Sequence, residues 1–144
     1  MIFVIVSAIL ILDQASKYIV AKNLTLGESI PLVGSVLQLT LVHNRGAAFG
    51  ILKNQTYLFI FTSILAVILI YLSLKEHSQK NFSIYKLALS LIAAGAVGNL
   101  IDRVFFGYVI DFIDLRVWPV FNVADSAITI GAALLGFSIL KSKK

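Results

Sequence analysis

The sequence predicts an all-α membrane protein: four transmembrane helices, with one or two short strands in the first connection between them. Two observations carry the class. Of 144 residues, 59% are hydrophobic and only 13% are charged, where an ordinary soluble domain carries about 25% charged residues, and the mean hydropathy is +0.95. A spanning helix needs roughly 20 mostly apolar residues, so the chain holds four of them with modest loops and leaves little room for a separate soluble domain. Residues 1–144 read as a single integral membrane domain.

The helices fall at about residues 2–21, 56–74, 85–103 and 122–140, with ends good to about 2–4 residues. The first run stops at Lys22 and Asn23. It has no basic leading region, carries Asp13 and Gln14 in its body, and is followed by no small-residue cleavage site, so it reads as a retained helix. The connection after it is too long for a tight turn, and its SVLQLTLVHN stretch alternates apolar residues at strand period, which suggests strands lying at the interface. The second run ends in KEHSQKN and the third runs into Asp102 and Arg103. The fourth begins at Asn122, after Pro119, a residue that a helix interior does not accept without cost. Gly95 and Gly98 in AAGAVGN read as points of close helix approach.

Net charge is +5, but Lys141, Lys143 and Lys144 cluster as a headgroup anchor, and no basic and aromatic stripe points to nucleic acid. The absence of cysteine removes disulfides, thiolate nucleophiles and sulfur ligands. Without an HExxH motif, a Gly-rich phosphate loop or metal-ligand spacing, neither a metal nor a cofactor is expected. Helix parity puts the first and third connections on one face and both termini on the other. The 12 Lys and Arg residues divide evenly between the faces, and the compact tail cluster tips the expectation toward cytoplasmic termini.

A charge at the bilayer centre costs about 2.5–3.5 kcal/mol even on lenient scales, so the acids need a reason to be there. Of the 7 acidic residues, Asp13, Asp102, Asp111, Asp114 and Asp125 gather at one face. Asn99, Asp102 and Arg103 lie on one side of the third helix, and Asn122, Asp125, Ser126 and Thr129 on one side of the fourth. Two such stripes describe a wet cleft. Two carboxylates sharing one proton provide both an acid and a base for hydrolysis, because close like charges do not ionise together. Asp111, at the end of GYVID, and Asp125, in the first turn of the fourth helix, are the chosen pair, brought together by a re-entrant loop.

Purely structural readings stand beside this one. NVAD resembles a capping box, with Asn122 as the cap and Asp125 at the third helical position. Asp111 has Arg103 and Arg116 as candidate ion-pair partners. Asp13 and Lys17, four apart, neutralise each other, and Asp114 reads as an ordinary interfacial acid. Ser16 and Lys17 are adjacent and point apart, while no motif supports a pairing of Ser126 with His43. The main alternative is a small ion-coupled or proton-conducting transporter. It is disfavoured because the inner halves of the last three helices hold almost no ionisable residue. A third reading is a lipid-binding structural protein.

DQASK at 13–17, NRGAAFG at 44–50, GNLIDR at 98–103, VIDF at 109–112 and FNVADS at 121–126, in this order over nearly the whole chain, resemble the lipoprotein signal peptidase family, signal peptidase II. The resemblance implies an aspartyl endopeptidase, multi-pass in the bacterial inner membrane, with both termini cytoplasmic, an extracytoplasmic β-cradle in the first connection, and the active site near the extracytoplasmic face. Its partners would be lipid-modified prolipoproteins and membrane lipid. It would remove the signal peptide just before a cysteine carrying diacylglyceryl. Asp111 and Asp125 match the family's catalytic pair; Asp13, Lys17, Asn44, Gly46, Asn99, Asp102, Arg103, Asn122 and Ala124 fall in the blocks that bind substrate or support the site. Asn44, Asn122 and Arg103 are expected to hold the substrate backbone or stabilise developing oxygen charge. A monomer is expected.

Overall fold

The computed structural model describes residues 1–46, 55–76 and 83–142; most of the polar KEHSQKN stretch and residues 47–50 of NRGAAFG lie outside the described residues. Among those described, the order is α1 (Ile2–Asn23), β1 (Ser29–Val33), β2 (Leu37–Asn44), α2 (Thr56–Glu76), α3 (Ile84–Phe106), β3 (Val109–Asp114) and α4 (Val123–Ser142). All 4 helices are long and apolar enough to cross a membrane. Large apolar side chains such as Phe3, Ile11, Tyr57, Phe61 and Leu69 stand exposed on α1 and α2, as a surface solvated by lipid requires.

The third helix is the centre of the bundle. It packs against each of the other three helices, and 50% of its apolar window is buried, against 0% for α2. Small residues make this possible. A Cβ at Gly95 would overlap the Ala124 carbonyl oxygen, and one at Gly131 of α4 would come 2.8 Å from the Ala88 carbonyl oxygen. The two backbones therefore approach closely from both sides. Gly98 is small for another reason. A Cβ there would lie 2.7 Å from Asp13 Oδ2, so its missing side chain makes room for a carboxylate and not only for a helix.

The Ser83 side chain caps the start of α3 by accepting from the Lys86 N–H. Gly107, at φ 78°, ends the helix in the left-handed conformation and returns its N–H to the Arg103 carbonyl. The helix thus continues through the expected stop at Asp102 and Arg103. Asp102 does not end it because its charge is met inside the bundle by Lys17, 2.9 Å away.

The strands form one antiparallel sheet, ordered β1-β2-β3. The first two come from the first connection, as the alternation there predicts. The third comes from the third connection, so the expected re-entrant loop is in fact a strand, and the sheet is not confined to the first connection. Its pairing explains this: Asn44 sits opposite Val109 and Val42 opposite Asp111, which satisfies backbone groups that a loop would leave open. Strand alternation then divides its side chains. Ile110 and Phe112 join Val20, Leu24 and Leu41 in the core under the sheet, while Val109 and Asp111 face the bundle cavity.

Replacing Gly95 with Ala is expected to cost roughly 1–3 kcal/mol through overpacking. The same change at Gly136, where a Cβ meets nothing within 4 Å, serves as the neutral control. Thermal unfolding of the two purified variants in detergent compares them.

Candidate active site

Pro119 and the chain reversal after β3 deliver Asn122 to the start of α4, and the helix begins with a reciprocal cap. Asn122 Oδ1 accepts from the Asp125 N–H at 2.8 Å, and Asp125 Oδ2 accepts from the Asn122 N–H at 3.3 Å. The capping box read from NVAD is therefore present. It leaves Asp125 Oδ1 directed into the bundle, where it accepts from Asn99 Nδ2 at 2.7 Å.

Asp111 arrives from the other side, on β3. Its Oδ1 accepts from Asn122 Nδ2 at 2.7 Å and its Oδ2 from Asn44 Nδ2 at 2.9 Å. Asn44 reaches it because it lies opposite Val109, two residues from Asp111 and on the same face of the sheet. Asn122, fully buried, thus touches both acids: its amide nitrogen holds the Asp111 carboxyl, and its oxygen holds the Asp125 backbone. The same nitrogen also reaches Asn99 Oδ1 at 3.1 Å and the Ile110 carbonyl at 3.3 Å.

Both acids line one cavity of about 480 Å³, walled by β2, α2, α3, β3, α4 and the segment 118–121. Burial, and then the neighbouring charge of Asp125, push the Asp111 carboxyl up to about 7, although the Asn44 and Asn122 donors oppose the rise. Such a carboxyl exchanges its proton near neutral pH, as a general acid or base must.

The remaining expected site residues fall into three groups. Arg103 lines the cavity, with its guanidinium 4.9 Å from the centre of the Phe59 ring, and among the described residues it forms no salt bridge. Arg116 pairs with Asp114 at 3.6 Å, so among the described residues neither arginine is salt-bridged to Asp111. Gly46 lines the cavity beside Asn44 and donates its N–H to Asn44 Oδ1 at 2.9 Å. Asp13, Lys17 and Asp102 lie deeper, all buried, with Lys17 Nζ 2.8 Å from Asp13 and 2.9 Å from Asp102. Ala124, fully buried, packs beside Gly98. The Ser126 hydroxyl donates to the Asn122 carbonyl at 3.0 Å, and the His43 ring stacks on Tyr108 at 3.9 Å, so both are engaged elsewhere.

Sequence reasoning misses the apolar wall. Phe59 and Thr62 of α2, together with Trp118 and Val120, line the cavity; they carry no charge and belong to none of the five sequence blocks. Trp118 and Phe121 also border a second cavity of about 400 Å³ that reaches Asp125 from the side of Leu115 and Ile130. The aromatic residues of WPVF are the signal that could have found it.

Removing the Asn44 donor takes away a bond that favours the ionised Asp111. Asn44→Ala is therefore expected to raise the Asp111 carboxyl above its position near 7, read by carbon NMR titration of aspartate-labelled protein.

Comparison with known proteins identifies the family. A family described as "Signal peptidase (SPase) II" matches residues 5–141. A lipoprotein signal peptidase of Halothermothrix orenii is 44% identical over 100% of this chain and 98% of its own. That of Moorella thermoacetica is 47% identical over 92% and 87%. A solved bacterial membrane enzyme, determined by the in meso method at 2.3 Å resolution, superposes with a TM-score of 0.93 at 37% identity, covering 99% of this chain and 89% of that one. None of these supports a transporter. The chain belongs to the signal peptidase II family and is a multi-pass bacterial membrane peptidase.

Proposed function

We propose that this peptidase removes signal peptides from lipoprotein precursors by aspartyl chemistry, with Asp111 and Asp125 as the reacting pair, cutting just before a diacylglyceryl-modified cysteine. The observation that carries the reading is that both carboxylates border one cavity and are tied to the same buried asparagine, Asn122.

One carboxylate, ionised, takes a proton from water as the water oxygen bonds to the scissile carbonyl carbon. The other, protonated, donates to the carbonyl oxygen. The roles then reverse: the carbon–nitrogen bond breaks, the leaving amine of the lipidated cysteine gains a proton, and the signal peptide keeps the new carboxyl group. Asn44 and Asn122 direct their amide nitrogens at Asp111, so in this reading they orient the acid and do not grip the substrate. Arg103, which lines the cavity, donates to the substrate backbone or the developing oxyanion.

In this reading the termini lie in the cytoplasm, and the sheet and the acids at the extracytoplasmic face. The signal helix enters sideways from the bilayer, so its acyl chains stay in hydrocarbon, against the apolar wall of Trp118, Phe121 and Ile130. The enzyme acts as a monomer, without a metal or other cofactor.

Asp111→Asn and Asp125→Asn, made separately in folded protein, are each expected to lower cleavage of a lipidated precursor by about 10²–10⁴-fold. Full cleavage by either variant would remove the dyad. Equal cleavage of an unlipidated precursor would leave a peptidase without lipoprotein specificity. A chelator is expected to leave the rate unchanged.

A further inference from the structure

Each acid of the dyad is preceded by a residue whose backbone N–H is held by a buried carboxylate. The Ala124 N–H, before Asp125, donates to Asp13 Oδ1 at 2.8 Å. The Ile110 N–H, before Asp111, donates to Asp102 Oδ2 at 3.0 Å. Those two carboxylates are joined by one ammonium, Lys17 Nζ, at 2.8 and 2.9 Å. Gln14 Nε2 ties them a second time, at 3.1 Å to Asp13 and 3.0 Å to Asp102.

The third donor of Lys17 goes to Asn99 Oδ1 at 3.1 Å. An ammonium only donates, so it fixes which end of the Asn99 amide faces it. The amide nitrogen must then point the other way, and it meets Asp125 Oδ1 at 2.7 Å. The ammonium therefore bears on the β3 backbone, the α4 backbone and the Asp125 carboxyl at once.

From these contacts we infer that Asp13, Lys17 and Asp102 form a positioning unit that sets the separation and orientation of the Asp111 and Asp125 carboxylates. The inference rests on the dyad reading above. Stability alone explains the cluster poorly, because a buried ion triad is often no more stabilising than well-packed apolar residues of similar volume. What apolar residues do not supply is an acceptor for each of the two N–H groups and a donor for Asn99.

The test uses Lys17→Met, near in volume but without charge or donors, in the full-length protein in detergent, assayed on a lipidated precursor. Expected are a fall in kcat of about 10–100-fold, the scale of a small misplacement at a reacting centre, and a KM within about threefold of the parent. Amide exchange should quicken in peptides covering β3 and the first turn of α4, and not in α2. The upper limb of the kcat–pH profile, where Asp111 loses its proton beside ionised Asp125, should also move upward, because Lys17 favours the ionised form of Asp111. The other charged groups bearing on Asp111 are Asp125 of α4 and Arg103 of α3; on β2, the titratable His43 is stacked on Tyr108.

Parental kcat, pH limb and exchange in folded Lys17→Met would overturn the inference. Where that variant does not accumulate as folded protein, Asp13→Asn decides. It keeps an oxygen for the Ala124 N–H but loses the charge that holds Lys17; a lower kcat with faster exchange at the start of α4 supports the unit, and parental values of both overturn it. Undiminished cleavage by Asp111→Asn or Asp125→Asn would instead defeat the dyad itself, whatever Lys17 does.

Discussion

The cleft depends on one ammonium held where the bundle admits almost no water. Lys17 is 2% exposed, and it stands between Asp13 and Asp102, which are 0% and 1% exposed. Any one of these charges alone would cost several kcal/mol to bury. Together they form a closed set in which the donors of the cation and the oxygens of the anions have partners, and their outward contacts reach the two segments that deliver Asp111 and Asp125. The small residues of α3 follow from the same constraint. Gly98 is bare because the Asp13 carboxylate occupies the place of its side chain.

Structural and functional readings of a residue are often set against each other, and here they coincide. Asp125 is a helix-capping residue by its Oδ2 and a cleft residue by its Oδ1. Asn122 is at once the cap of α4 and the bridge between the acids. A carboxylate at the first turn of a helix is favoured by the peptide dipoles, which helps the fold hold an acid in a place that burial alone would make costly. The other acid has no such support, and desolvation by its surroundings raises it.

Much of this is legible in the residues. Four apolar runs announce the helices, and the i, i+3, i+4 spacing of Asn99, Asp102 and Arg103 announces the inward face of α3, because a polar side chain in lipid has no bland explanation. The ion pair of Asp13 with Lys17 follows from their spacing. The third strand does not emerge: VIDFID is short, carries two acids, and is defined by its partner β2, which local sequence does not reveal. The observed end of α3 at Phe106 lies within the margin of the sequence reading, although Asp102 looks like a stop until its buried partner is known. The bonds of Asn44 and Asn122 to Asp111 are not legible either, because an amide has no local mark that says which neighbour it meets; pairing across the sheet is what brings Asn44 to Asp111.

The alternation of β3 makes the candidate cleft intolerant of changes in the length of that strand. Asp111 faces the cavity only because Ile110 and Phe112 face the core, and a slip of one residue would turn the acid into the core and present an apolar side chain to the cleft. The segment from Gly107 to Asn122 is fastened at both ends, by the left-handed helix stop and by the cap of α4, and in between by the pairing of Ile113 with Phe121. A single residue inserted or deleted within β3 cannot be absorbed without this turn of the faces, whereas the exposed bend at Arg116, Val117 and Trp118 has room for it. The turn between β1 and β2, where Gly34 meets nothing within 4 Å, has open space around it. Among the described residues, indels in such an enzyme are thus tolerated at the hairpin tip and at the exposed bend after β3, while β3 itself is held to one register.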